Sequence, residues 1–348
     1  MDKITNKEIT IYDIAARLDV SSATVSRALK DDPVVKEKTR KKIFEMADKL
    51  GYRQNHFARN LRNQKTYVIG IIVQRINSSF IASVISGIEK VANSEGYNIV
   101  ISQSEENAVK EIANVKTMFN NRVDGLLVSL AFDTENIQHF EPFFKRHIPV
   151  VFFDRVEELD RSTKVLIDNR SAAYDVTKHL INEGCRRIVH VTADSKRNVY
   201  VQRLAGYKKA LADNNIKFSD ECVILSKLNQ EAGAEAAKKI LEMNPLPDGV
   251  FVANDNCAAG CMVVLKKAGI RIPHDIAFAG FNNDPVSTIV EPNLTTVNYP
   301  AYEMGEIAAR NLIQQLKNAA LNGTDSIILK SELIIRESSK RSDVTGLG

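Results

Sequence analysis

Residues Thr10 to Arg27, reading T-I-Y-D-I-A-A-R-L-D-V-S-S-A-T-V-S-R, constrain this chain more than any other stretch. Ile11, Ile14, Ala15 and Leu18 recur at i, i+3, i+4 and i+7, which is one apolar face of a helix. Thr10 stands where an N-cap is wanted, and Asp13 falls in the first turn, at the positive end of the helix dipole. Asp19 and Val20 break the pattern. Ser21 then offers a cap to a second helix whose inner face is Val25, Ala28 and Leu29. That leaves Ser22, Ala23, Ser26, Arg27 and Lys30 facing outward. Two short helices joined by a tight turn, the second with a small polar face and one arginine, suit insertion into the major groove. Small residues let the helix approach base edges, and a guanidinium forks onto a guanine.

Charge supports a polyanion partner for this end of the chain alone. Residues 1–66 hold 15 Lys/Arg against 9 Asp/Glu, a net of +6, while the remainder holds 32 against 34, a net of −2. A basic head on a near-neutral body is the footprint of a phosphate contact. With 348 residues and 44% hydrophobic content, the chain is long enough for two or more domains.

After the loop D-D-P-V-V at 31–35, Ile43, Met46, Ala47 and Leu50 mark a third helix, which Gly51 terminates. The three apolar faces can share one small core. The next segment, R-Q-N-H-F-A-R-N-L-R at 53–62, offers one or two helical turns from Asn55 to Leu61. A helix that short is unstable alone, since ~12–15 residues are marginal even for good helix formers. It is therefore expected to fold only against a partner, which makes it a switch as well as a tether.

These residues resemble the head of the LacI/GalR family of bacterial transcriptional repressors. The matching text is I-T-I-Y-D-I-A, V-S-S-A-T-V-S-R-A-L, V-K-E-K-T-R-K-K-I, L-G-Y-R-Q-N-H-F-A-R-N-L and V-I-G-I-I-V within residues 9–73. The resemblance implies that the second helix reads the major groove, with Ser22, Ala23 and Arg27 at base edges. Tyr12, Ser21, Thr24 and Ser26 stand where the family touches phosphates or positions the helix. Asn55, Ala58 and Leu61 stand at hinge positions, with Leu61 as an apolar wedge that unstacks a base step. Lys36 departs from relatives that carry a capping Ser there, so the third helix is expected to start less firmly.

The body alternates short apolar runs with amphipathic stretches. Strands are predicted at Tyr67–Val73, Asn98–Ser102, Val123–Val128, Val150–Phe153, Arg187–Thr192, Gly249–Ala253 and Asp275–Ala279, with helices at 79–95, 105–120, 170–184, 198–214, 229–243 and 255–269. This alternation predicts a parallel, doubly wound α/β sheet, and the number of strands predicts two lobes. No Gly-rich dinucleotide fingerprint or Walker sequence occurs, so no nucleotide cradle or other cofactor is expected. Ligands in such folds sit beyond the carboxyl ends of the strands. Those ends carry Phe80, Ser129, Asp154, Asn254, Asp255 and F-N-N-D at 281–284, with Phe153 alongside. Polar groups among flat apolar rings describe a pocket for a small polar ligand. Taken singly, several have a structural explanation, Asp255 as a helix N-cap and Asn283 or Asp284 as turn formers.

The body also resembles the same family's sensor domain, which is similar to periplasmic sugar-binding proteins. The matching text includes P-V-V-F-F-D-R, V-Q-R-L-A-G-Y-K-K-A-L, P-D-G-V-F-V-A-N-D, I-P-H-D-I-A-F-A-G-F and L-T-T-V-N-Y-P-A-Y-E-M-G-E-I-A-A. By resemblance, Phe80, Ser129, Asp154, Arg203, Asn254 and Asn282 contact the effector. Asn282 stands where many members carry Asp, and the chain has no Trp, so the ligand's identity is open. The resemblance further implies a head at 1–52, a hinge at 53–66, a body at 67–340 and a tail at 341–348. Lobe 1 is expected at about 67–167 and 298–326, and lobe 2 at about 168–297 and 327–340. A helix starting at Pro300, with Pro at N1, fits lobe 1.

The resulting expectation is a small helical head on a two-lobed sensor, acting as a ligand-controlled repressor of carbohydrate-utilisation genes. Its partners would be near-palindromic operator DNA, a sugar or sugar derivative, and a second copy of itself. The alternatives are a solute-binding protein, a sensor of a non-sugar metabolite such as a nucleobase, and an enzyme using strand-end carboxylates such as Asp154 and Asp284. The start, M-D-K-I-T-N-K-E, has no apolar segment of a secretory signal and no run nears the ~18 apolar residues of a membrane span, so a cytoplasmic, non-membrane protein is expected. Cys185, Cys222, Cys257 and Cys261 are scattered, and the six His residues form no ligand or triad pattern, so neither a metal nor an enzyme is expected.

Overall fold

The computed structural model describes residues 9–52, 65–157, 161–194, 196–318 and 325–341. It divides into two compact units, Met1–Thr66 and Tyr67–Gly348. The expected hinge contacts Asn55, Ala58 and Leu61 lie outside the described residues.

In the first unit, helices α1 (Ile11–Leu18), α2 (Ser22–Ala28) and α3 (Glu37–Lys49) pack around Ile14, Ala15, Val25, Ala28, Val35, Ile43 and Ala47. Full burial of Ile14, Val25 and Ile43 contributes about 1.5–3 kcal/mol each. The α1 start is held from the acidic side: the Asp13 carboxylate accepts from the Thr10 amide at 2.8 Å and from its hydroxyl at 2.6 Å. Asp19 turns the chain in a left-handed conformation, φ 52°. Ser21 Oγ then accepts from the Thr24 amide at 3.1 Å and caps α2 as expected. Lys36 gives α3 no side-chain cap, yet the helix starts at Glu37, where the Lys36 carbonyl accepts from the Thr39 and Arg40 amides.

The second unit contains these described strands in chain order: β1 Val68–Val73, β2 Asn98–Gln103, β3 Gly125–Val128, β4 Val150–Phe153, β5 Lys164–Ile167, β6 Ile188–Thr192 and β7 Val223–Leu225. They continue with β8 Gly249–Val252, β9 Ala277–Ala279, β10 Thr296–Asn298, β11 Ser326–Leu329 and β12 Glu332–Ile334. One parallel sheet has the order β11-β5-β4-β3-β1-β2 and the other β7-β6-β8-β9, while β10 and β12 pair antiparallel between them. Strands β1, β3, β4, β6 and β8 are buried almost throughout, which is why they read as continuous apolar runs.

Several boundaries differ from the sequence reading. Strand β11 pairs with β5 and completes the first sheet, so the lobe boundary drawn near 326 falls after Leu329. Pro300 is the N-cap of helix Ala301–Lys317, one place before N1. That helix packs on Ser79–Ser94 so closely that a Cβ on Gly305 would lie 2.0 Å from the Val84 carbonyl oxygen. Ser338 and Ser339, just before the expected tail, are fully buried. Ser338 Oγ donates to the Phe278 carbonyl at 2.8 Å and Ser339 Oγ lies 2.7 Å from His179 Nε2, which anchors this segment to the second sheet.

Candidate nucleic-acid face and ligand cleft

On α2, burial of Val25 and Ala28 turns the opposite face outward. Ser21, Ala23 and Arg27 are exposed, while Ser22, Thr24 and Ser26 are half-buried. The Ser21 and Thr24 hydroxyls lie 2.8 Å apart. Tyr12 on α1 is 69% exposed, an unusual placement for an aromatic ring in so small a core. The outward groups are thus a phenol, hydroxyls, a methyl and a guanidinium. These are the donors and small surfaces that phosphates and base edges accept.

In the body, Asp154 follows β4 in a left-handed conformation, φ 59°, which turns its carboxylate back into the protein. Tyr299 Oη donates to Asp154 Oδ1 at 2.8 Å, and Ser129 Oγ donates to Oδ2 at 3.3 Å. Gln74 Nε2 in turn donates to Ser129 Oγ. Burial pushes the Asp154 carboxyl up, while Arg155, Arg203 and these hydroxyl donors pull it back toward the ionised form.

Arg203 reaches the same ring cluster from helix Asn198–Asp213. Its Nε donates to Asn169 Oδ1 at 2.8 Å and its Nη1 to the Ala253 carbonyl at 2.9 Å. The guanidinium lies 3.7 Å from the Phe281 ring centroid and 5.9 Å from that of Tyr299. Phe80 packs on Tyr299 at 4.6 Å between centroids. Tyr299 therefore joins Phe80, Asp154 (and through it Ser129), Arg203 and Phe281 into one constellation. The arrangement sets a carboxylate acceptor and a guanidinium donor against aromatic faces, which suits a small ring with several polar groups.

Two further expected contacts, Asn254 and Asn282, also hold local structure. Asn254, and not Asp255, caps helix Asp255–Lys267, its side chain accepting from the Cys257 amide at 3.1 Å. Asn282 has φ 118°, its amide donates to the Val297 carbonyl, and its side chain bonds to the Asp284 carboxyl. Asp255 is fully buried and receives the Thr296 hydroxyl at 2.7 Å and the Asp284 amide at 2.8 Å. Burial pushes its carboxyl up to about 7, with Asp284 adding to the rise, and burial pushes Asp284 itself up to about 6.

Gln74, Asn169 and Tyr299 escaped the sequence reading. Gln74 was findable by the strand-end rule, being the residue directly after β1. Tyr299 follows a three-residue strand with no pattern of its own. Among the described residues, no group of three or more His, Cys, Asp and Glu could hold a metal ion, and no helix is long and apolar enough to cross a membrane.

A family model described as bacterial regulatory proteins, lacI family, matches residues 10–55, and one described as a periplasmic binding protein-like domain matches residues 177–339. Over 333 residues the chain is 34% identical to the catabolite control protein A of Priestia megaterium, covering 95% of this chain and 99% of that protein. The chain belongs to the lacI family of bacterial regulatory proteins. Another relative of this lacI-family protein is the transcriptional repressor PurR of Photobacterium profundum, 30% identical over 332 residues and covering 95% of this chain and 98% of that one. Among solved structures, the transcriptional regulator CelR in complex with cellobiose is similar at 25% identity and a TM-score of 0.73, covering 95% of this chain and all of that one. The helix-turn-helix head and the parallel-sheet, periplasmic-binding-like sensor expected from the sequence are both present.

Proposed function

We propose that this lacI-family regulator is a repressor of carbohydrate-utilisation genes. It binds a near-palindromic operator as a homodimer, and a sugar or sugar derivative in the body sets its DNA affinity. The observation that carries the ligand reading is the Tyr299-centred constellation. Asp154 and Arg203 supply an acceptor and a donor, and Phe80 and Phe281 supply flat apolar contact. Neighbouring hydroxyls on a sugar ring need this pairing. The catabolite-control relative and the cellobiose complex of a similar regulator support a sugar over other small polar molecules.

On α2, Ser22, Ala23 and Arg27 read bases, while Tyr12, Ser21, Thr24 and Ser26 hold the phosphates. Asn55, Ala58 and Leu61 take the hinge role that the family resemblance assigns them. The effector contacts are Phe80, Ser129, Asp154 and Arg203, with Asn254 and Asn282 shaping the rim through the helix cap and the turn they hold. The protein works in the cytoplasm, where its operator lies, and leaves its ligand chemically unchanged.

The second copy sits along the free sheet edges. Val100 and Ile101 on β2 are each 40% exposed, Leu225 on β7 is 57% exposed, and Val109 and Ile112 beside β2 are 75% and 48% exposed. Uncovered edge strands with apolar residues invite another chain. A two-fold operator requires two heads, and this face supplies the contact.

The test is selection of bound sequences from random DNA, followed by titration of a sugar panel against the selected site. A near-palindromic consensus and a shift in affinity with one sugar class are expected. The PurR relative and the flat rings favour a purine base as the second reading, so the panel includes purine bases. A response to purines alone would displace the sugar reading, and a consumed ligand would displace the sensor.

A further inference from the structure

The two lobes also meet beside the Tyr299 constellation, where Arg203 lies 5.8 Å from the Tyr200 ring centroid. The meeting place is the first turn of helix Asn198–Asp213, which belongs to the second sheet, against strand ends of the first. Arg155 Nη2 donates to Tyr200 Oη at 2.9 Å, and its Nη1 donates to Glu106 Oε2 at 2.6 Å. Glu106 Oε2 also accepts the Phe132 amide at 3.2 Å, and the Phe132 ring lies 6.2 Å from that of Tyr200. Asn198 spans the same seam, with Oδ1 accepting from the Val156 amide at 3.1 Å and Nδ2 donating to the Asp154 carbonyl at 3.2 Å. Arg197 Nη2 donates to the Thr134 carbonyl, with Glu157 3.8 Å from its Nη1.

We propose that this helix turn is a latch that holds the lobes shut through the protein's own contacts, with Arg155 as the bolt shared by Tyr200 and Glu106. Of the four residues Arg197 to Tyr200, three make polar contacts across the seam. Arg155 is largely buried, with 13% of its side chain exposed, so its charge depends on Glu106 for compensation. Opening the lobes strips Tyr200 from Arg155, exposes the apolar patch of Ala193, Val199 and Tyr200 against Phe132, and frees the Val156 amide. These contacts adjoin the effector constellation, since Arg203 lies 5.8 Å from the Tyr200 ring centroid and Asn198 bonds the Asp154 carbonyl. The effector therefore acts on an equilibrium already biased toward closure by the protein's own contacts. This consequence rests on the sensor reading, but the latch does not.

Hydrogen exchange on the full chain, with neither effector nor operator added, tests the latch directly. The variants are Tyr200→Phe, which removes one hydroxyl and keeps the ring, Glu106→Gln, and the double variant. The reporters are the Val156 and Phe132 amides. Several-fold faster exchange at both, with the strands of the two sheets unchanged, is expected in each single variant. The double variant is expected to fall short of the product of the two, because both act through Arg155. Unchanged exchange at the seam would overturn the latch. So would a uniform rise across both sheets, which would mark lost stability alone, and so would effects that multiply, which would remove Arg155 as the shared bolt.

Discussion

The Tyr299 hydroxyl donates to Oδ1 of Asp154 at 2.8 Å, although 145 residues separate them in sequence. The bond ties the segment after β10, which passes between the sheets, to the carboxyl end of β4. It therefore links the geometry of the two lobes to the carboxylate proposed to hold the effector. Tyr299→Phe removes one of two hydroxyl donors from a buried carboxylate, and a hydrogen bond to a charged group is worth about 1.5–3 kcal/mol. A matching loss of thermal stability is expected, together with weaker response to the effector. Calorimetry and operator titration with and without the active sugar measure the two effects. A variant with native melting and native response would remove Tyr299 from the site.

Arg27 is exposed on α2 and free to reach a base. Arg27→Ala is expected to cost about 1–3 kcal/mol on the selected operator and to relax preference at one base pair. Binding to random DNA should fall much less. An equal loss on both would make Arg27 a phosphate contact.

Asp255 gives the body a pH dependence whose sign is fixed by its environment. Its carboxyl is pushed up to about 7 in the folded protein, against an ordinary value of 3.8, by burial and by Asp284. The Thr296 hydroxyl and the Asp284 amide donate to the carboxyl, and Asp255's own amide donates to the Phe281 carbonyl. Between about pH 4 and 7 the folded state holds a proton that the unfolded chain has released. Stability therefore falls as pH rises through that window, with a slope of at most about 1.4 kcal/mol per unit. Asp284, pushed up to about 6, acts in the same direction over a narrower range. Asp255→Asn should flatten the dependence of the melting temperature between pH 4 and 7. An unaltered profile would show that Asp255 is ionised throughout.

The residues that announce themselves in sequence are those whose role is set locally. The α1 and α2 faces follow from a 3.6-residue period, and β1, β3 and β4 follow from apolar runs, because burial on both sides of a parallel sheet leaves no alternation. Strands β5, β7, β10, β11 and β12 have three or four residues each and become strands only by pairing with distant partners. The site divides in the same way. Ser129 and Asp154 lie at or just past strand ends that the pattern exposes, whereas Tyr299 enters from a segment placed by β10 pairing with β12. Asn254 shows how two roles can share one strand-end position. It stands at a strand end, as a ligand contact would, and its side-chain oxygen also caps the helix that follows. Strand-end position alone does not separate a binding group from a capping one.

Val109 and Ile112 lie on the outer face of helix Ala108–Asn120, beside the edge strand β2. With 75% and 48% of their surface exposed, neither holds up the fold of a single chain, so charge is tolerated there in a monomer. In a dimer the same positions would be desolvated, and two like charges facing each other across a two-fold axis repel. Val109→Glu combined with Ile112→Glu is therefore expected to leave melting by circular dichroism nearly unchanged at low protein concentration. It should convert the protein to a monomer in sedimentation equilibrium. Because two linked heads engage an operator far more tightly than one, affinity for the palindromic site should fall by at least tenfold, while affinity for an isolated half-site stays level. A variant that remains a dimer would move the contact away from β2 and this helix.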